Sequence, residues 1–295
     1  MFADKKRYGQ NPGIVVRSAA VTFNAPLRWA ADRQKFGHIN RVFVDSWSDF
    51  FIAEADAWRD EAWAIIRETP NLTYQICTKR PERIAACLPA DWGHGYPNVW
   101  MGVTTENQAE TDERIPILLQ TPAVVRFLSC EPLLGPVSLR WKNSTDFGTP
   151  HLRHKMPEPD ERGRICTDEY DGLREVDWVI CGGESGPGAR PMHPDWARAL
   201  RDQCRAAGVP YFFKQWGEWT EVGGGAPHTL HEVMGHGGIP CDQFNCVMAE
   251  DGHIPARASE MRGDVKYRWL SRVGKKVAGS LLDGVEHNAF PAVRG

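Results

Sequence analysis

Six short apolar runs recur along the chain: Arg41–Ser46 (RVFVDS), Thr73–Arg80 (TYQICTKR), Val99–Asn107 (VWMGVTTEN), Val125–Glu131 (VRFLSCE), Asp177–Glu184 (DWVICGGE) and Tyr211–Gln215 (YFFKQ). Near-continuous hydrophobicity of this length marks strands buried on both faces, the situation of a parallel sheet covered by helices. Between the runs, Glu54–Glu68 places Ala57, Trp58, Ala62, Ile65 and Ile66 on one face at helical spacing, and Thr69-Pro70 closes it. Glu110–Leu119 and Pro194–Ala207 read the same way, with Asp195 in the first turn of the latter and Gly208 just past its end. Strand and helix alternate, which predicts an α/β fold, either a doubly wound sheet or a βα barrel. Two stretches interrupt the alternation. Residues 141–176 are polar and rich in charge, proline and glycine, and read as a long insertion. Residues 220–262 carry glycine clusters and His228, His231, His236 and His253 without clear periodicity, and read as a loop-rich appendage whose histidines are more often solvated than ligating.

In both parallel architectures ligands bind at the carboxyl ends of the strands, so the residues that end each run are the first candidates. They are polar in every unit: Asp45, Ser46 and Asp49; Thr78, Lys79 and Arg80; Thr105, Glu106 and Asn107; Ser129 and Glu131; Gly182, Gly183, Glu184 and Ser185; Lys214 and Gln215. Any one of them is explained by turn chemistry. Six coincident occurrences that include Lys and Glu favour a binding rim. The glycine stretch Cys181–Arg190 matches neither a P-loop nor a dinucleotide fingerprint. Lys79, Arg80 and Arg83 suit an anion, or form a solvated basic turn. The aromatic segment Tyr211–Trp219 suits base stacking less well than packing at the end of the barrel.

Composition adds few constraints. With 42% hydrophobic and 25% charged residues, the 295-residue chain is an ordinary globular one, read as one domain over 1–295. A net charge of -3 carries no overall signature of a nucleic-acid or membrane partner. The opening MFADKKRYGQ has no apolar core, and no run approaches the roughly 20 apolar residues of a spanning helix, which predicts a cytoplasmic protein without a membrane partner. Cys77, Cys87, Cys130, Cys166, Cys181, Cys204, Cys241 and Cys246 are scattered, with no CxxC pair, so reduced thiols and no metal site are expected.

The blocks VDSWSDFF, ICTKRPERI, NVWMGVTTENQ, DERIPILLQTPAVVRFLSCEPLLGPV, DWVICGGESGPGARPMHPDWARALRDQC, VPYFFKQWGEW and RVGKKVAGSLLDGVEHNAFP occur in order from about Tyr8 to Pro291. Taken together they resemble the phage gene-product thirty-seven / sixty-eight family, the three-cysteine-motif proteins. The resemblance implies a partial, TIM-like βα barrel of radical-SAM type. It also implies, for complete members, a Cys…Gly-Cys-x-x-Cys-Tyr-Ala element whose three thiolates hold a four-iron cluster that binds S-adenosylmethionine. That element is absent from this sequence, where Met1 aligns with the helix that follows it, and the remaining cysteines are differently spaced. The expectation is therefore an uncharacterised phage-associated, radical-SAM-like protein that is catalytically incomplete in this form, without a cofactor of its own. Gly182-Gly183-Glu184 is similar to the GGE element that contacts the S-adenosylmethionine amine, although it stands later in the chain than that element does. A neighbouring three-cysteine-motif partner protein is also implied. Two alternatives stand beside this reading. One is a non-catalytic nucleic-acid-binding module using Lys79, Arg80, Arg83, Lys214 and nearby tryptophans; the other is a truncated gene product with no independent function.

Overall fold

The computed structural model describes residues 15–45, 48–139, 172–173, 175–221, 245–255, 260–262 and 265–292. Ser46, Cys166, Cys241, His228, His231, His236 and most of the 141–176 and 220–262 stretches lie outside the described residues. The apolar runs become β1 (Arg41–Val44), β2 (Thr73–Thr78), β3 (Val99–Thr104), β4 (Val125–Cys130), β5 (Trp178–Gly182) and β6 (Tyr211–Gln215). They form one parallel six-stranded sheet in the order β1-β2-β3-β4-β5-β6. A doubly wound sheet reverses its strand order at a switch point. The consecutive order here is that of a partial βα barrel, which resolves the alternative left open by the alternation of elements. Contact density divides the chain into two compact units: Met1–Thr104 with Arg114–Phe127 and Ala292–Gly295, and Thr105–Glu113 with Leu128–Pro291.

The first unit holds the short helices α1 (Ala20–Phe23), α2 (Ala25–Ala31) and α3 (Arg33–Phe36), then β1 to β3 and α4 (Asp56–Glu68). None of the three short helices is marked by a long apolar stripe. Of the face of α4 that is periodic in sequence, Ile65 and Ile66 are buried, Trp58 and Ala62 are half-buried and Ala57 is exposed; Arg59 and Trp63, which the spacing did not single out, complete the buried side. Around Trp63 stand Phe50, Trp92 and Tyr96, with ring centroids 4.9 to 6.1 Å away, and its indole donates to the Cys87 carbonyl at 2.9 Å. Tyr74 of β2 shares a hydrogen bond with Thr69 at the end of α4, which identifies the helix-covered face of the sheet. On the other face a β-carbon at residue 102 would collide with the Phe127 ring; glycine there admits the aromatic.

The first unit also holds α5 (Ile84–Cys87), α6 (Gln108–Gln120) is divided between the units, and α7 (Pro194–Ala207) belongs to the second. His193 caps α7, its Nδ1 accepting the Asp195 N–H at 3.2 Å, and Gly208 ends it in the left-handed conformation (φ 70°) that glycine adopts without strain. The buried stripe Trp196, Ala197, Leu200 and Cys204 lines one side, and the Tyr211 hydroxyl donates to the Ala197 carbonyl at 3.1 Å.

The stretch 220–262, which reads as loop in the sequence, contains regular structure. β7 (Trp219–Glu221), β8 (Asn245–Ala249) and β9 (Tyr267–Arg272) form an antiparallel sheet in the order β7-β9-β8. His253 sits in its turn and accepts from the Ala249 N–H. An ion-pair network ties this sheet to α7: Arg268 binds Asp195 at 2.8 Å and Glu221 at 3.0 Å, and Arg198 binds Asp195, Glu221 and Asp283. After α8 (Lys275–Ala278), β10 (Leu281–Leu282) and β11 (Val285–Glu286) make a hairpin whose turn residues Asp283 and Gly284 both have positive φ, as its tight twist requires. The segment beyond it pairs with the edge of β6, the Phe213 N–H donating to the His287 carbonyl at 2.8 Å, so that edge is not left open.

Candidate functional site

In the second unit the carboxyl ends of β4, β5 and β6 bring four of the predicted residues together. Glu131, one-fifth exposed, accepts from the Lys214 ammonium at 2.8 Å and from the Gln215 amide at 3.2 Å. The same Gln215 nitrogen reaches Ser185 Oγ at 3.0 Å and the Gly183 carbonyl at 3.4 Å. Lys214 is half exposed, so its pairing with Glu131 contributes about 1 kcal/mol or less to stability. Gly182 makes the cluster possible: a β-carbon there would press on Glu131 Cγ and Cδ at 3.2 Å. A carboxylate, an ammonium, an amide and a hydroxyl thus share one strand-end rim. This set can receive both a cationic and an anionic group of one small ligand.

The glycine loop beside the rim is braced from within. The Gly183 N–H donates to the Gln215 carbonyl and the Gly186 N–H to Glu218 Oε1, while the Glu184 carbonyl accepts from Glu218 N–H at 2.9 Å. Glu184 receives the Arg190 side chain through two hydrogen bonds of 2.8 Å, and that guanidinium holds its carboxyl below the usual range. A β-carbon at 183 would run into the Trp216 carbonyl. Gly183 therefore answers a close crossing of two backbones. Glu218 and Arg190, which strand-end reasoning did not single out, are the residues that hold this loop; the sequence signal was the place of Glu218 inside WGEW and of Arg190 at the end of GPGAR.

Asn107 accepts the Glu110 N–H at 3.1 Å and so caps α6. Glu106 is buried, and its carbonyl accepts from Leu134 N–H. The tryptophans of the aromatic segment are structural, Trp216 donating to the Leu281 carbonyl and Trp219 to that of Ala189.

In the first unit Asp49, 6% exposed, is a hub. It accepts from Phe51 N–H, Thr78 Oγ1 and Lys79 N–H at 2.8 to 2.9 Å and from Arg80 at 3.2 Å. Four donors satisfy a buried carboxylate and stitch the loop after β1 to the end of β2. Arg83 binds Asp56 and the Phe51 carbonyl. Asp45 ends β1 at φ 54° and borders a cavity of about 90 Å³ with Arg17, Phe23, Phe50 and Trp58. Crowding by protein atoms, then the charge of Asp49, pushes its carboxyl up, although part of its surface faces solvent.

Among the described residues no three His, Cys, Asp or Glu side chains come together as a metal-ligand group. Cys130, Cys181 and Cys204 are buried in the second unit, and burial raises all three thiols, Cys130 to about 12. They are protonated, packed side chains rather than thiolate ligands. No helix among the described residues is long and apolar enough to cross a membrane.

Compared with known proteins, the chain matches no curated protein and no solved structure. A family model described as a protein of unknown function, DUF5131, matches residues 3–291. With nearly its whole length matched, the chain belongs to the DUF5131 family.

Proposed function

We propose that this chain is a radical-SAM-like βα barrel whose strand-end rim binds a small zwitterionic ligand of the S-adenosylmethionine class. The observation that carries the reading is the Glu131–Lys214 pair, 2.8 Å apart at the carboxyl end of parallel strands and flanked by Gln215 and Ser185. Strand ends are where βα barrels bind ligands. An α-ammonium would take the Glu131 side of the pair and an α-carboxylate the Lys214 side, with Gln215 keeping Glu131 in place. The four-iron cluster implied by the sequence resemblance asks for three thiolates. Among the described residues no cysteines are grouped as metal ligands, and Cys130, Cys181 and Cys204 are buried with their thiols raised, so they do not fit that group, and no reaction step is derived through it. The reading is therefore of a ligand-binding rim on an enzyme-type barrel.

Calorimetric titration with S-adenosylmethionine and S-adenosylhomocysteine tests it. We expect a dissociation constant below about 1 mM, weakened at least about tenfold by Glu131→Gln and by Lys214→Met. Absence of binding to either compound removes the reading. About four irons per chain after anaerobic reconstitution would replace the cluster-free form with a complete iron–sulfur enzyme. Three of the four cations named for the nucleic-acid alternative are paired with carboxylates: Arg80 with Asp49, Arg83 with Asp56 and Lys214 with Glu131.

A further inference from the structure

Asp45 ends β1 beside the cavity of about 90 Å³ in the first unit. Its backbone is held in the left-handed conformation, φ 54°, and its carbonyl accepts from the Ser48 N–H at 3.0 Å. The carboxylate, by contrast, accepts no hydrogen bond and makes no ion pair among the described residues. Arg59 lends it charge only, because the Arg59 donors go to the Phe50 and Ile52 carbonyls and to Asp56. Arg17, the other cation on the cavity wall, is paired with Glu61. Protein atoms crowd Asp45 and the charge of Asp49 repels it, and both push its carboxyl up. A partly desolvated carboxylate beside a like charge is costly until a cation meets it. The rest of the wall suits the body of such a cation, since Phe23, Phe50 and the half-buried Trp58 are aromatic. Phe23 and Phe50 already carry the Arg17 and Arg59 guanidinium groups, at 4.1 and 6.0 Å from the ring centroids. That leaves the Trp58 indole, the strongest of the aromatic faces for a cation.

We propose that this cavity binds the ammonium end of an aliphatic primary amine, whose N–H groups donate to the Asp45 carboxylate and whose carbon chain lies against Trp58. A volume of about 90 Å³ is that of about three water molecules, enough for an ammonium and about three methylene groups. A longer amine extends outward past Asp45, which is exposed to solvent. The site does not depend on the Glu131 rim, because a simple alkylamine carries no carboxylate for Lys214.

The test is titration of the full chain with propylamine, which is protonated at neutral pH, followed through the tryptophan indole N–H signals in nitrogen-15 NMR spectra. The Trp58 signal, identified by its loss in Trp58→Phe, should shift with a dissociation constant below about 10 mM. Propanol, of the same length without the charge, should bind at least about tenfold more weakly. Asp45→Asn should weaken propylamine binding at least about tenfold with the thermal midpoint unchanged or raised, because asparagine also adopts a positive φ and the change removes an uncompensated charge. Glu131→Gln should leave the shift unaltered, so failure of S-adenosylmethionine to bind at the rim would leave this result standing. No movement of the Trp58 signal with propylamine, equal affinity for propylamine and propanol, or unchanged affinity in Asp45→Asn would each overturn the proposal. A marked loss of thermal stability in Asp45→Asn would overturn it as well, since it would mean that the carboxylate is compensated within the fold.

Discussion

Gly183 and Gly188 lie five residues apart in one loop, and the structure asks different things of them. A β-carbon at 183 would overlap the Trp216 carbonyl, and Gly217 meets the Glu184 carbonyl just as closely, so two backbone strands cross where only glycines allow it. At Gly188 the requirement is only a positive φ of 76°, with open space around the position. Gly183→Ala should therefore cost about 3 kcal/mol or more, by forced displacement of backbone. Gly188→Ala should cost only about 1 kcal/mol, for the strained φ. Urea unfolding midpoints of the two variants measure the difference, and similar losses would contradict the crossing as its cause. Both glycines belong to the one glycine stretch Cys181–Arg190 in the sequence. Which of them is sterically obligatory depends on Trp216, distant in sequence, and was not legible. Asp49 carries the same lesson: its polar character at a strand end was readable, but its role as a buried acceptor for four donors required the positions of Phe51, Thr78, Lys79 and Arg80.

Among the elements, α7 was the most legible, with proline at its start, a periodic buried stripe and glycine at its end. Its cap holds a titratable group. His193 is 1% exposed, and burial, opposed by Asp195 and reinforced by Arg268 and Arg198, lowers its pKa from 6.5 to about 4. A histidine depressed on folding binds its proton more readily in the unfolded chain. Its contribution to stability is therefore complete above pH 6.5 and is lost as the pH falls from about 6.5 to about 4, some 3 kcal/mol in all. His193→Asn keeps a capping acceptor and removes the titration, so the variant should show a flatter stability profile across that window by chemical denaturation at several pH values. An unchanged slope would assign the acid sensitivity elsewhere. The β7-β9-β8 sheet was not legible, because β7 is three residues long and its partner β9 follows only after β8 in the chain. The β10–β11 hairpin has a local signal, Asp-Gly between Leu281-Leu282 and Val285-Glu286.

At the scale of the whole molecule the net charge is -3, and Arg80, Arg83 and Lys214, three of the cations that a nucleic-acid module would use, are each paired with a carboxylate. Fluorescence anisotropy of a labelled oligothymidine should show no binding at about 0.15 M salt, where screening acts over roughly 8 Å. Micromolar binding that falls steeply with added salt would return the balance to a nucleic-acid-binding module. Although β1, read as buried on both faces, is instead exposed or half-buried at every residue, the succession of apolar runs and amphipathic helices was enough to determine an α/β chain with six strands, because hydrophobic periodicity is local and follows from the pitch of each element. It also determined that the strands end in polar residues. The tertiary structure alone decided the strand order β1 to β6, and with it the barrel type over the doubly wound one. It alone decided which strand-end residues serve the fold, as Asn107, Asp49 and Glu184 do, and which meet at one rim, as Glu131, Lys214, Gln215 and Ser185 do. Hydrogen bonds and ion pairs between residues up to 111 positions apart depend on which chain segments come into contact, and no local pattern of residues encodes that.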